Sequence, residues 1–365
     1  MVKLVAARSW PVRLRFARPV RTARGEFGER DSVLFELRDQ DGVSGFGEAA
    51  PWPGFGTESA TQALALLREA EPRLLGMTLE PGAWSRPLEL LLAAAPAARA
   101  AVQGALLDLA SRRAGRPLAD ELAAGVGAGD LAGRGAVPRR VPTSVLLVSG
   151  EPGMLRKEAA RARESGHRAV KIKLGAATLD VDVARARAAR EGLGPGIRLR
   201  GDANGAWSLV AAHAALAALA PFEFDYVEQP LAADDLEGFV ELHRDAPLRI
   251  AADESVATGA GTLRLLEAGT VDVVVLKPAT LGGAACALDL AARARRAGIE
   301  VVFSHTFESA VGARHALHCA AAWGDASAVH GLCTGGLFDS DLAVPVECRD
   351  GHAEIADVPG IGISL

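Results

Sequence analysis

The chain has 365 residues, 49% of them hydrophobic and 23% charged, with a formal net charge of −5 and a pI near 6.0. This is the composition of a soluble globular protein long enough for one large core plus a second domain. No Lys/Arg cluster offers a nucleic-acid footprint, and the longest uncharged run, between Asp202 and Glu223, holds Asn204, Gly205, His213 and Pro221 and reads as a loop entering a helix, not a membrane span.

The N-terminus, MVKLVAARSWPVRLRF, scatters its charges and lacks the apolar stretch of a signal peptide. The four cysteines, Cys286, Cys319, Cys333 and Cys348, are widely spaced without a C-x-x-C pair. Both features suit a reducing, cytoplasmic compartment. The first block then reads as strands followed by helices. Two short runs in SVLFELRDQDGVSGFGEAA flank Asp41-Gly42, a hairpin signal. Helical patterns are predicted from Ser59 to about Leu75 and from about Ala97 to Arg113, the second stopped by Gly115 and Pro117. A glycine-rich passage, AAGVGAGDLAGRGAVPRR, is the best candidate for a domain boundary.

From about Val141 to His330 the pattern alternates. Runs such as TSVLLV, AVKIKL, IRLRGDAN, FDYVEQP, RIAADES, VDVVVLKP and EVVFSHT are each followed by a helical segment rich in Ala, Leu, Arg and Glu. So many strand–helix units argue for a parallel sheet closed into a barrel. An open doubly wound sheet is the alternative, but no G-x-G-x-x-G fingerprint follows the first strand. After Gly331 the alternation is lost.

Barrels of this kind carry their reactive groups where strands end. Those ends offer Lys171 and Lys173, then Asp202 and Asn204, Glu228, Asp253 and Glu254, Lys277, and finally Ser304, His305 and Thr306. A single Asp there is an ordinary helix N-cap, and a Glu or Lys before proline an ordinary turn or rim residue. Together, three carboxylates converging on one mouth would repel one another unless a cation held them. With no His or Cys in the set, a hard divalent ion fits: Mg²⁺, with Mn²⁺ as an alternative. Lysines bracketing such a site suit removal of a proton beside a substrate carboxylate. Lys171 and Lys173 share one face of a strand, so we expect each to lower the other's pKa.

These residues resemble the enolase superfamily, in its muconate-lactonizing subgroup. The likeness runs through RAAVQGALLDLASRRAGRPL, KIK, DANGAW, EQP, DES, KPATLGG and the closing PGIGISL. The resemblance implies an α/β fold: a modified (β/α)7β TIM-like barrel over 136–334, carrying the metal and catalytic lysines. An α+β capping domain spans 1–135, with the tail, 335–365, folding back on it. It also implies Asp202, Glu228 and Asp253 as metal ligands and Lys173 and Lys277 as the acid/base lysines, with Lys171 beside them.

Within the subgroup, GFGEAAPWPGFGTES, KPATLGG and SHTFESAVG are most similar to the o-succinylbenzoate synthases. Those lyases of menaquinone biosynthesis dehydrate 2-succinyl-6-hydroxy-2,4-cyclohexadiene-1-carboxylate. This implies Lys173 as the proton carrier of a syn elimination and Lys277 as a cation over the ring. Arg200, Asn204, Ser304 and Gly331 are implied as substrate contacts. His305 departs from the small residues usual in the family; it either faces the helix layer or touches substrate.

Two cap segments are expected to close the mouth: Arg21 to Asp31, and Pro51 to Gly56, whose Trp52 and Phe55 suit a ring-shaped substrate. Trp52 packing only at the domain interface is the competing reading. N-succinylamino acid racemase, dipeptide epimerase and cycloisomerase share this machinery, and a non-catalytic barrel is the remote alternative. The expected partner is a small carboxylate, with neither nucleic acid nor membrane; a homo-oligomer stays open.

Overall fold

A computed structural model describes residues 2–22, 25–79, 92–125, 136–333 and 336–365. Most of the glycine-rich boundary passage, and residues 23 and 24 of the first cap segment, lie outside that set.

The N-terminal block is an antiparallel sheet in the order β3-β2-β1-β4. Its strands are β1 (Val2–Thr22), β2 (Gly25–Asp39), β3 (Ser44–Ala49) and β4 (Thr78–Leu79). The Asp41-Gly42 turn joins β2 to β3, with Gly42 at φ 84°. Helices α1 (Ala60–Leu74), α2 (Pro96–Arg113) and α3 (Leu118–Gly125) follow. α1 opens with a capping box: the Ser59 hydroxyl accepts from Gln62 N, and the Gln62 side chain accepts from Ser59 N. Gly45 and Gly47 explain the GFGE run. A Cβ on either would lie 2.2 or 1.9 Å from a carbonyl oxygen of α2, so β3 and α2 pack backbone to backbone. Leu4, Phe35 and Leu37 from the sheet meet Leu67, Val102 and Leu106 from the helices in this core.

The second block is the barrel. Parallel strands β5 (Arg140–Leu147), β6 (Ala169–Lys173), β7 (Arg198–Asp202), β8 (Phe224–Glu228), β9 (Ile250–Ala252), β10 (Val273–Leu276) and β11 (Glu300–Phe303) pair in sequence. β12 (His330–Cys333) pairs with β5, and a parallel bridge between Ser304 and Gly331 closes the ring. Between them run α4 (Pro152–Glu164), α5 (Leu179–Leu193), α6 (Leu209–Leu219), α7 (Leu236–Asp245), α8 (Gly259–Ala268), α9 (Ala284–Arg296) and α10 (Ala310–Trp323). Eight parallel strands with these seven helices between them, and one further turn of helix at Pro278–Leu281, make the (β/α)7β barrel among the described residues. The last strand is the one that the alternation in the sequence ran out on.

The tail touches both blocks. Strands β13 (Cys348–Arg349) and β14 (His352–Glu354) form a hairpin that pairs antiparallel with the start of β5. Further on, the Ile361 amide donates to Asp108 on α2 at 2.8 Å.

Candidate active site

The ends of β6 to β10 place the charged residues side by side. Lys173 is the register partner of Asp202, and Asp202 of Glu228. Lys173 Nζ donates to Asp202 Oδ2 at 2.7 Å and to Asn204 Oδ1 at 2.8 Å. Lys171 Nζ lies 2.9 Å from Glu228 and 3.2 Å from Asp202. Across the mouth, Lys277 Nζ donates to Asp253 Oδ2 at 2.6 Å. Asp202, Glu228 and Asp253 are all buried, and Asn204 Nδ2 reaches Glu254 at 3.1 Å.

Burial opposes every charge here, and the neighbours decide the outcome. For Asp202, Lys173 and Lys171 overcome burial and hold the carboxyl below its usual range. For Glu228, burial, with Asp202 and Asp253 nearby, outweighs Lys171 and pushes the carboxyl up to about 7. Asp253 is raised too, chiefly by burial.

The expectation that the paired lysines lower each other's pKa does not hold for Lys171. Burial works against its charge, but Glu228 and Asp202 outweigh it and raise the ammonium well above its ordinary value. Carboxylates at hydrogen-bond distance act more strongly than a second ammonium one strand position away.

Gln229, the middle residue of the EQP run, ties the end of β8 to the Asp253 loop. Its Oε1 accepts from the amides of Asp253 and Ser255, and its Nε2 donates to Ser255 Oγ and Leu231 O. It holds φ at 43°, and Asn204 (φ 46°) and Phe307 (φ 57°) are likewise left-handed. Three such non-glycine residues follow the ends of β7, β8 and β11, where strain is characteristic of functional loops.

The opposite wall is aromatic. The ends of β6 to β10 supply Lys171, Lys173, Asp202, Asn204, Asp253 and Lys277 to the lining of one cavity, and the cap loop with the ends of β11 and β12 supplies Trp52, Phe55, Phe307, Ser304, His305 and Gly331; the two sets adjoin where Lys277 meets Phe55. Lys277 Nζ lies 4.1 Å from the centre of the Phe55 ring. Trp52 packs edge-on against Phe27 at 5.1 Å and against Phe55 at 6.2 Å. Trp52 also lies 6.1 Å from Phe307 on the loop after β11, so it serves both the interface and the cavity. Ser304 Oγ donates to Gly331 O at 3.0 Å. His305 is buried, with Nδ1 3.1 Å from Glu308, so it faces the cavity while held by its own loop.

Two buried charges from the cap hold this wall in place. Arg30 donates to Ala50 O and Pro51 O on the Trp52 loop and to Thr306 O on the loop after β11. Glu48 accepts from Ser309 and from the Gly312 amide, capping α10 from another domain. Neither was singled out in the sequence, where a lone Arg or Glu in a strand carries no signal.

Arg200 is the one implied substrate contact that the cavity does not include. It is 1% exposed, donates to Asp225 at 2.9 Å and to Val329 O at 2.6 Å, and lies 4.6 Å over the Tyr226 ring. Two residues before Asp202 on β7, it keeps the same face but sits deeper in the barrel. Glu228 also lies behind the lining, screened by Lys171.

Family comparisons agree with this layout. Residues 154–365 match the "Enolase C-terminal domain-like" model, and residues 5–122 the N-terminal domain of mandelate racemase / muconate lactonizing enzyme. The chain belongs to the enolase superfamily, in its muconate-lactonizing subgroup. A hydrophobic dipeptide epimerase of Enterococcus faecalis is 30% identical over 346 residues, 94% of each chain. An o-succinylbenzoate synthase of Mycobacterium tuberculosis is 40% identical over 198 residues, 53% of this chain and 58% of that one. The synthase of Mycobacterium ulcerans is 38% identical over 251 residues, 68% and 72% of the two chains.

Among solved structures, the E. faecalis dipeptide epimerase complexed with Mg and L-Leu-L-Tyr superposes with a TM-score of 0.87 at 28% identity, covering 100% of both chains. Muconate lactonizing enzyme of Pseudomonas fluorescens complexed with muconolactone matches equally well, at TM-score 0.87 and 28% identity, covering 97% of that chain.

Enolase-superfamily enzymes use Mg²⁺. The donors here fit such an ion chemically: they are all carboxylate oxygens, and Asp253 Oδ1 is buried without a hydrogen-bond partner. Among the described residues no three acidic, His or Cys donors close on one point, because each carboxylate is turned to a lysine or to Asn204. None of the described helices is long and apolar enough to cross a membrane.

Proposed function

We propose that the chain is an o-succinylbenzoate synthase, dehydrating 2-succinyl-6-hydroxy-2,4-cyclohexadiene-1-carboxylate to 2-succinylbenzoate in menaquinone biosynthesis. The observation that carries this reading is where the cavity keeps its carboxylates. Asp202, Asp253 and Glu254 all lie on the lysine side, engaged by Lys173, Lys277 and Asn204. The far wall, with Trp52, Phe55, Phe307, Leu146, Ser144 and Ser304, has no carboxylate among the described lining residues. A free dipeptide would bring an α-ammonium to that wall, and a charge removed from water without a counter-ion is costly. A flat ring with an anionic succinyl arm suits aromatic faces and hydroxyl donors instead.

In this reading Asp202, Glu228 and Asp253 hold Mg²⁺, which supplies positive charge beside the substrate carboxylate as the α-proton leaves. Lys173, held by Asp202 and Asn204, takes that proton and returns it to the departing hydroxyl. The C–H and C–O bonds break, a ring double bond forms, and water leaves. Lys277, set across the cavity against Phe55 and Asp253, contributes charge without a proton.

The second reading is epimerisation of a dipeptide or racemisation of an N-succinylamino acid. It is supported by the E. faecalis relative, matched over 94% of its length, and by two lysines reaching one cavity. The comparison that separates them is wild-type kcat/KM for the cyclohexadiene substrate against that for dipeptides and N-succinylamino acids. The synthase reading expects efficient dehydration, with activity surviving in Lys277→Arg but not in Lys173→Arg. Efficient epimerisation with feeble dehydration would reject it.

A further inference from the structure

At the edge of the cavity, which Cys333 itself helps to line, two cysteines from different strands meet. Cys333 ends β12, opposite Val145 on β5. Cys348 opens β13 and pairs with Ala353, which in turn pairs with Val141 on β5. Directly opposed residues in a sheet share a face, and so do residues two apart on a strand. Val141, Thr143 and Val145 therefore present one face of β5 to both cysteines. The contacts agree: the Thr143 hydroxyl lies 3.3 Å from Cys348 Sγ, and each of the Cys333 and Cys348 thiols shifts the ionisation of the other, as groups at close range do. Both residues are only half-buried, whereas Cys319 is buried, and all four cysteines are thiols.

We propose that Cys333 and Cys348 form a thiol–disulfide site, a dithiol that a small-molecule disulfide converts into a bond between the last barrel strand and the tail hairpin. Cys348 is the attacking group. The Cys333 thiol and the Thr143 hydroxyl both donate towards its sulfur and favour the thiolate, whereas the same contact and burial disfavour ionisation of Cys333. The Cys348 thiolate attacks oxidised glutathione, forming a mixed disulfide and releasing one glutathione thiolate. Cys333 gives up its proton and attacks the Cys348 sulfur, releasing the second glutathione. One glutathione disulfide is reduced to two thiols, and the protein loses two hydrogen atoms.

The bond would close a loop over residues 334–347 and anchor a strand that also builds the cavity. Cys333 lies two residues beyond Gly331, whose carbonyl accepts from Ser304. Closing a loop by a disulfide stabilises a fold mainly by restricting the unfolded chain.

The test is to incubate the full-length protein with oxidised glutathione, without added reductant, then block thiols and map peptides by mass spectrometry. The expected product has lost the mass of two hydrogen atoms, carries a Cys333–Cys348 cross-linked peptide, unfolds at a higher temperature, and reverts with dithiothreitol. Cys348→Ser should abolish both the cross-link and the thermal shift, while Cys286→Ser should keep both. Stable glutathione adducts without the cross-linked peptide, or a cross-link involving Cys286 instead, would overturn the proposal. If Cys348→Ser fails to fold, the wild-type peptide map and the Cys286→Ser variant still decide it.

Discussion

The two walls of the cavity are built in different ways. The metal-side wall consists of side chains on the ends of consecutive barrel strands, fixed by backbone register and by ion pairs among themselves. The aromatic wall is assembled from a cap loop and the loop after β11, and is held by Arg30 and Glu48 across a domain boundary. On the proposed reading, the first wall carries the chemistry that the superfamily has in common, and the second meets the part of the substrate that differs. Damage to the first should therefore remove catalysis, and damage to the second should change what is bound.

The largest effect is expected at Lys173. Lys173→Ala should lower kcat by about 10²–10⁴-fold or more, the scale of a general acid–base, with folding intact by circular dichroism. Failure of the variant to wash deuterium from solvent into the α-position would place the loss at the proton step. Next comes the metal: excess chelator should abolish turnover and Mg²⁺ restore it. Glu228→Gln should weaken Mg²⁺ binding, measured by titration calorimetry, more than it lowers the unfolding temperature. Full activity in chelator would break the assignment of this wall.

On the other side, Trp52→Ala and Arg30→Ala should each raise KM on the order of tenfold, about 1.4 kcal/mol, with a smaller change in kcat. An equal fall in kcat from either would erase the distinction between the walls. An effect on stability alone, with none expected on substrate, sets a baseline for both. Burial holds His318 and His330 neutral, each pushed down to about 3. The unfolded chain takes up these protons near pH 6.5 and the folded chain does not, so their contribution is full above that pH and is lost progressively as pH falls towards about 3. Urea unfolding at several pH values should show this loss below about pH 6.5 as a difference between wild type and a His318→Gln or His330→Gln variant, since Glu228, raised to about 7, works in the opposite direction over part of the same range.

The same division decides what could be read without a structure. Short apolar runs alternating with helical segments exposed the barrel, and the Lys, Asp and Glu at their ends its charged mouth, because a strand end places its own side chains. Arg200 shows the limit of that reasoning: the strand period gives its face but not its depth, and Asp225 captures it below the site. Lys171 shows another, since its pKa depends on how closely Glu228 and Asp202 approach in space. Gln229, Arg30 and Glu48 act through partners on other elements, which no local pattern reports. Among the described residues no helix follows β12 before the tail hairpin, so the strand–helix alternation in the sequence ends where the ring closes.

The cap's grip on the barrel also sets a timetable. Arg30 meets Thr306 across a sequence separation of 276 residues, and Glu48 meets Gly312 across 264. A growing chain can fold its first sheet soon after synthesis begins, and Arg30 then already meets Ala50 O and Pro51 O, but the barrel partners of both charges do not exist until most of the barrel has been made. For most of translation, a carboxylate and a guanidinium destined for burial must wait in water at the edge of the early domain. Contacts so distant in sequence form slowly, and domains made first commonly fold first. The substrate-facing wall is thus among the last parts of the molecule to exist, completed only when the end of the chain arrives to meet its beginning.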